Sequence, residues 1–216
     1  MKLAKGCKSW ILSAFFAGVL FLILSILFKD TAFAAVLFLI CVCLFLLTVF
    51  FLVFFRDPER IIGNDVVACA DGKIREISYV KDKDIGESIK ISTFMFIQNV
   101  HVNRLPLTGT VKSVEHIDGF HLPAFKKESE KNERATIIAD TKIGEIKIVL
   151  IAGTLARRIV PYIKIGDKLK KGQRIGIIRL GSRVDVYLPK NKIKKICIKV
   201  GSRLKAGVDT IAEINA

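Results

Sequence analysis

The chain has few of the residues that usually announce a functional site. Three histidines, one tryptophan and two methionines serve 216 residues. The five cysteines are odd in number and include no Cys-x-x-Cys pair. Cys41 and Cys43 lie in an apolar run, and Cys7, Cys69 and Cys197 are far apart. Neither a zinc site nor a disulfide framework is indicated, and a reducing compartment fits. His116-x-Asp118-x-x-His121 has no standard metal-ligand spacing, so no metal is expected. Acidic residues are scarce too, 20 Asp and Glu against 35 Lys and Arg. That excess calls for an anionic partner. The positive residues are scattered and no recognised binding motif accompanies them, so a nucleic acid is not the expected one.

Charge is missing altogether from two stretches. Residues 10–28 are uncharged for 19 positions and residues 31–55 for 25, with Lys29-Asp30 between them. At about 1.5 Å per residue the first run spans roughly 28 Å, close to a bilayer's hydrocarbon core. The pattern predicts a transmembrane helical hairpin, with helices at 10–28 and 31–55. Ala32-Phe33-Ala34 mimics a signal-peptidase site, but the apolar run before it is too long for a signal peptide and a second run follows directly. Lys2, Lys5 and Lys8 in the basic segment 1–9 precede the hairpin, and Arg56 and Arg60 follow it. Both ends are therefore expected in the cytoplasm. Residues 56–216 then form one cytoplasmic domain with 31 Lys and Arg against 19 Asp and Glu, a balance drawn toward anionic lipid.

After residue 60 the periodicity becomes short and β-like. Strands are predicted at Val66–Cys69, Ile74–Val80, Ser88–Ile91, Gly109–His116, Ala135–Ala139, Glu145–Ala152, Arg174–Ile178, Val184–Leu188 and Ile193–Val200. The polar stretch Ile117–Arg134 reads as a solvated loop. IKIGDKLKKGQRI (163–175) repeats as IKVGSRLKAGVDT (198–210) at a spacing of 35 residues, which predicts two hairpin turns at related points of a pseudo-symmetric fold. The fold class is mainly β, a barrel-sandwich-like domain similar to biotinyl- and lipoyl-type half-repeats, preceded by the hairpin. Carrier domains of that type present a lysine within Met-Lys-Met. The tripeptide is absent here, which disfavours a carrier role.

The repeat sorts two Gly-Ser pairs. Gly201-Ser202 aligns with Gly166-Asp167, a turn position, whereas Gly181-Ser182 lies outside the repeat. A serine hydroxyl can attack the carbonyl of its own preceding peptide bond, and glycine there removes Cβ crowding. The resulting ester can eliminate to dehydroalanine, which hydrolyses to a pyruvoyl group. Such a group condenses with amines and accepts electrons. This chemistry needs a base and a proton donor. His101 follows an apolar run, His116 and His121 complete the set, and Asp71 stands in an Asp-Gly turn from which an aspartate can orient a histidine.

FFRDPER (54–60), ADGKI (70–74), NVHVNRLPLTGTV (99–111), NER (132–134) and LGSRVDVYLP (180–189), in that order, resemble the short, membrane-anchored phosphatidylserine decarboxylases, a family that includes archaetidylserine decarboxylases. The resemblance covers essentially the whole chain. It implies a proenzyme that cuts itself between Gly181 and Ser182 into a β chain, 1–181, and an α chain, 182–216. Ser182 becomes the pyruvoyl cofactor and forms a Schiff base with a serine-headgroup phospholipid, ester or ether, which loses CO2. Asp71 and His101 fall on positions of the family's catalytic apparatus, and Asn103, Arg104 and Asn132 on candidate substrate-binding positions. The longer branch of the family carries Tyr-His-Arg-x-His-x-Pro. Here His101 stands at the first histidine and Arg104 at the second. The resemblance leaves open whether His101 serves both steps or His116 or His121 takes one. It is also compatible with an assembly of several copies. A second reading from the residues alone is a non-catalytic, membrane-tethered adaptor built on a barrel-sandwich domain.

Overall fold

The structure, a computed structural model, describes residues 2–120, 132–153, 158–179 and 182–215. The chain divides into two compact units, Met1–Glu59 and Arg60–Ala216.

The first unit is a pair of helices, α1 (Lys8–Leu27) and α2 (Phe33–Phe54), both long and apolar enough to cross a membrane. The five residues between them form a tight turn, in which the Thr31 hydroxyl donates to the Phe28 carbonyl at 2.7 Å. At the open end, the amides of Ala4 and Asp57 donate to the carbonyls of Phe55 and Lys2. Gly18 lies against the Phe45 ring, where a small residue lets the helices approach. Phe16, Leu27, Phe33, Leu39 and Leu46 are exposed, and apolar residues cover the pair on all sides. A helix apolar all round is unstable in water and suited to hydrocarbon.

The second unit is mainly β. Its strands are β1 (Val66–Val67), β2 (Gly72–Asp82), β3 (Gly86–Met95), β4 (Val102–Arg104), β5 (Gly109–Ile117), β6 (Arg134–Thr141), β7 (Gly144–Ala152), β8 (Arg158–Pro161), β9 (Lys168–Leu169), β10 (Arg174–Arg179), β11 (Ser182–Pro189), β12 (Ile193–Ile196), β13 (Arg203–Leu204) and β14 (Thr210–Ile214). A curled eight-stranded sheet runs β13-β2-β3-β11-β7-β6-β5-β9. Two three-stranded sheets, β1-β14-β12 and β4-β10-β8, complete the domain.

The large sheet reads symmetrically from its middle. On one side a hairpin, β2-β3, is edged by the two-residue strand β13; on the other a hairpin, β5-β6, is edged by the two-residue strand β9. The sequence repeat supplies these edges. Gly166 and Gly201 have φ of +89° and +93°, and Gly172 and Gly207 have +77° and +76°, so repeat-related glycines share the left-handed conformation that other residues resist. Neither turn closes a hairpin, contrary to the sequence expectation. The short strands that follow Gly166 and Gly201 pair instead with the first residues of β5 and β2. The predicted Ile193–Val200 strand is also shorter, ending at Ile196.

β11 and β7 occupy the centre, where a strand is covered on both edges. β7 is buried at every position from Ile146 to Ala152. Along β11, Ser182, Val184, Val186 and Leu188 are buried on one face, and the three aliphatic residues join the core with Ile74, Ile91, Met95, Ile137, Ile148 and Leu150. Each such aliphatic side chain contributes about 1.5–3 kcal/mol by leaving water. Arg183, Asp185 and Tyr187 line the opposite face, beside a cavity of about 570 Å³ that Arg134 and Lys147 also line. The charges there are paired: Arg183 with Asp185 at 3.1 Å, and Lys147 with Asp82 and Asp84 at 2.7 and 2.8 Å.

Candidate active site

Ser182 is fully buried as the first residue of β11. Its register partners are Met95 on β3 and Ala152 on β7. The hydroxyl donates to the Met95 sulfur at 3.1 Å. A thioether is a weak acceptor, so the oxygen's lone pairs and most of its bonding capacity stay available. Gly181 and His121 lie outside the described residues.

Ala152 is held from its far side by the Asn-Glu-Arg segment. The Asn132 amide donates to the Ala152 carbonyl at 2.7 Å, and the Ala152 amide donates to the Glu133 carbonyl at 2.9 Å. Asn132 is almost fully buried. The Glu133 carboxylate accepts the Ile159 amide and lies 3.1 Å from His116 Nε2, so the residue before β6 links β5 and β8. Asp118 stands 3.5 Å from the same nitrogen.

His101 is fully buried just before β4. Its Nδ1 is 2.9 Å from the Asn99 carbonyl. A carbonyl can only accept, so Nδ1 carries the hydrogen, and in the neutral ring Nε2 holds the lone pair. The His101 carbonyl accepts the Ile178 amide on β10, the strand that leads toward Ser182 in the sequence. Asn103 is also fully buried. Its side-chain amide donates to the His101 carbonyl at 3.3 Å, and among the described residues its Oδ1 has no hydrogen-bond partner. A buried acceptor of that kind carries an unmet desolvation penalty.

Arg104 is buried and donates to the Gly172 carbonyl at 3.0 Å, while its backbone amide donates to Cys69. A Cβ on Gly207 would meet its Cδ at 3.0 Å, so the guanidinium stem packs between two repeat glycines. Burial pushes the Cys69 thiol up to about 12, which keeps it protonated and a poor nucleophile.

Asp71 precedes β2 at the same end of the sheet. Its carboxylate takes two hydrogen bonds from Arg60, at 2.5 and 2.8 Å, and one from the Ala206 amide at 2.7 Å. Arg60 also donates to the Ala206 carbonyl. Among the described residues, the carboxylate is thus engaged by an arginine and a backbone amide, not by a histidine. In the sequence Arg60 stands as a flanking charge and as the last residue of FFRDPER (54–60); its link to Asp71, eleven residues on, comes from the fold.

The structure therefore brings Ser182, Met95, Ala152, Asn132, Glu133 and His116 together along one end of the sheet. It ties His101 and Asn103 to each other and to β10. Asp71 and Arg104 are built into the repeat turns around them. Among the described residues, no group of three or more His, Cys, Asp and Glu side chains is arranged to hold a metal ion.

Comparison with known proteins follows the same lines. Residues 47–212 match the phosphatidylserine decarboxylase family. A phosphatidylserine decarboxylase proenzyme of Streptomyces griseus is 52% identical over 161 residues, covering 74% of this chain and 72% of the relative. Two Methanosarcina proteins, provisionally named archaetidylserine decarboxylase proenzymes, match almost end to end. The one from Methanosarcina barkeri is 40% identical over 216 residues, with 98% of each chain covered. The one from Methanosarcina acetivorans is 42% identical over 215 residues, covering 98% of this chain and 97% of the relative.

Proposed function

The chain belongs to the phosphatidylserine decarboxylase family, and from that premise we propose that it is a membrane-anchored decarboxylase of serine-headgroup phospholipids, made as a proenzyme that cleaves itself between Gly181 and Ser182. The observation that carries this reading is Ser182, a buried hydroxyl whose acceptor among the described residues is a thioether, opening a central strand of the sheet.

In the self-cleavage step the Ser182 oxygen attacks the Gly181 carbonyl and the peptide nitrogen leaves, so an ester replaces the amide. Elimination of that ester frees the β chain, 1–181, as a carboxylate. Hydrolysis of the dehydroalanine then releases ammonia. The α chain, 182–216, stays in place after the cut because β11 pairs along its length with β3 and with β7, while β13 and β14 pair with β2 and β1.

The pyruvoyl group made from Ser182 supplies a carbonyl that takes the substrate amine and draws electrons from the breaking carbon–carbon bond. The chain's own residues do the rest. His101, with Nδ1 held by Asn99, offers Nε2 to take or return a proton. Asn103 Oδ1 is a buried acceptor suited to an ammonium or hydroxyl donor of the headgroup. Asn132 fixes Ala152 against Ser182. Arg60 and Asp71 fix the start of β2, and Arg104 the repeat turns, so these are positioning residues. The two apolar helices anchor the protein in the cell membrane with both ends on the cytoplasmic side.

The test is conversion of lipid. Purified protein in vesicles containing a serine-headgroup lipid is expected to yield the ethanolamine lipid and CO2, with either ester-linked or ether-linked tails. Failure to convert both would reject the reading.

A further inference from the structure

The end of the sheet that carries Ser182 also carries exposed aromatic and aliphatic side chains. β3 ends at Met95, the register partner of Ser182, and the next two residues, Phe96 and Ile97, are 40% and 45% exposed. On the other flank β5 ends at Ile117, across from Arg134, which is itself across from Ile151 beside Ala152. Three residues further, Phe120 is 66% exposed, and its carbonyl accepts the Glu133 amide. β11 thus lies between two apolar tips at one end of one sheet.

The Phe96 tip is closed by its own hydrogen bonds. Asn99 Oδ1 accepts the Phe96 amide at 2.8 Å and the Asn99 amide donates back to the Phe96 carbonyl at 2.9 Å, which closes the turn. The Phe96 ring stands edge-on to Phe94 with centroids 4.9 Å apart, and Arg75 lies over Phe94 at 5.9 Å. The same Asn99 whose side chain closes the turn holds His101 Nδ1 with its carbonyl. An exposed apolar turn is thereby two hydrogen bonds away from a buried imidazole. Lys73, the register partner of Phe94, and Arg75 are exposed on β2 beside it; Arg158 is exposed on β8, across from Arg179 on the strand that precedes Ser182 in the sequence.

We propose that this end of the domain is a lipid-docking face, in which Phe96, Ile97 and Phe120 enter the headgroup–acyl boundary of an anionic bilayer and Lys73, Arg75 and Arg158 meet its phosphates. Aromatic and aliphatic side chains next to positive charge are a composition suited to interfacial binding. The domain's 31 Lys and Arg against 19 Asp and Glu match an anionic surface, and serine-headgroup lipids make a bilayer anionic. The docking turn reports directly to His101 through Asn99. The inference relies on the decarboxylase reading for the lipid that supplies the charge, and its first test does not use activity.

That test uses the full chain in phosphatidylcholine vesicles containing a serine-headgroup phospholipid with brominated acyl chains. Single tryptophans are placed at Phe96→Trp, Phe120→Trp and Tyr79→Trp in a Trp10→Phe background. Tyr79 is exposed on β2, toward the opposite end of the sheet, and serves as the reference. Fluorescence at positions 96 and 120 is expected to shift to the blue and to be quenched several-fold more than at position 79. Quenching at 96 no greater than at 79 overturns the proposal. The double substitution Phe96→Ser/Ile97→Ser, with the fold checked by circular dichroism, is expected to lower turnover of vesicle lipid about tenfold. Turnover within twofold of the parent also overturns it. Quenching at positions 96 and 120 in the variants, with a parent protein that converts no serine lipid, sinks the decarboxylase reading and leaves the docking face standing.

Discussion

Gly-Ser-Arg occurs twice in this chain, at 181–183 and at 201–203, and the two copies have different physical surroundings. Ser202 sits in a partly exposed turn after Gly201, whose φ is +93°. Its hydroxyl accepts the Lys199 amide at 3.2 Å, and its amide donates to the Lys199 carbonyl. Asp167 does the same for Lys164 in the other half of the repeat. Ser202 is therefore a turn residue with its oxygen already in use. Ser182 opens a strand paired on both edges, is fully buried, and among the described residues has a thioether as the partner of its hydroxyl. The dipeptide itself says nothing. Water, partners and strand position decide which serine can do chemistry.

The strongest way to break that contrast is to remove each hydroxyl. Ser182→Ala is expected to abolish the cut on a denaturing gel and to lower decarboxylation at least about 10³-fold, because no pyruvoyl carbonyl can form to take the substrate amine. Ser202→Ala should cut and turn over normally. Equal behaviour of the two would end the distinction, and an uncut but fully functional Ser182→Ala protein would favour the tethered adaptor.

A second test asks whether the seam end depends on its buried ion pair. Asp71→Asn leaves the Arg60 guanidinium buried without its carboxylate, and removing one partner of such a pair costs about 3 kcal/mol. Chemical denaturation should show that loss, and Arg60→Met should show a comparable one. If both variants keep full stability, the pair is not what secures the start of β2.

The face of the sheet away from the core offers a control. Lys147 bonds Asp82 and Asp84 there. Burial by itself would raise the Asp82 pKa, but the Lys147 hydrogen bond and the amides of Asp84 and Ile85 outweigh it and hold the carboxyl below its ordinary value. Burial would likewise lower Lys147, and the two carboxylates outweigh it and raise the ammonium's pKa. A lowered carboxylate contributes stability above its ordinary range and loses it as pH falls through the folded value. A raised ammonium contributes below its ordinary range and loses it as pH rises through the folded value. Lys147→Met should therefore destabilise by about 1.5 kcal/mol near neutrality, with the gap closing toward both acid and strong alkali. The cut should be unaffected. A gap independent of pH would mean that packing, and not charge, holds this face.

The smallest effect belongs to the turn itself. Gly201→Ala forces an alanine into the left-handed region and should cost about 1 kcal/mol in a thermal unfolding scan, with normal processing. Any loss of processing would tie the Ser202 turn to the seam after all.

Several parts of this picture were legible in the sequence. The uncharged runs marked the two helices, and alternating aliphatic residues marked most long strands, because both signals are local. The repeat pointed to pseudo-symmetry, which the palindromic strand order bears out. β4, β8, β14 and the two-residue strands β9 and β13 were missed. All three residues of β4 are buried, and two of them are Asn103 and Arg104, so no alternation betrays a strand. The register that sets Ser182 between Met95 and Ala152, and the link from Arg60 to Asp71, join residues far apart in sequence. Such pairings depend on how strands slide against one another, which local periodicity does not encode. The same holds for His116 and Glu133: the sequence offered His116 as a candidate and Glu133 within NER (132–134), but their proximity rests on the β5–β6 pairing.

The central claim is that Ser182 is consumed to make the cofactor, and the intact mass of the purified protein tests it most directly. Two chains are predicted, one ending at Gly181 and one beginning at residue 182, with the smaller lighter by one ammonia than a chain starting with serine. A single chain of full mass in a preparation that decarboxylates lipid, or a smaller chain that begins with an intact serine, would contradict it.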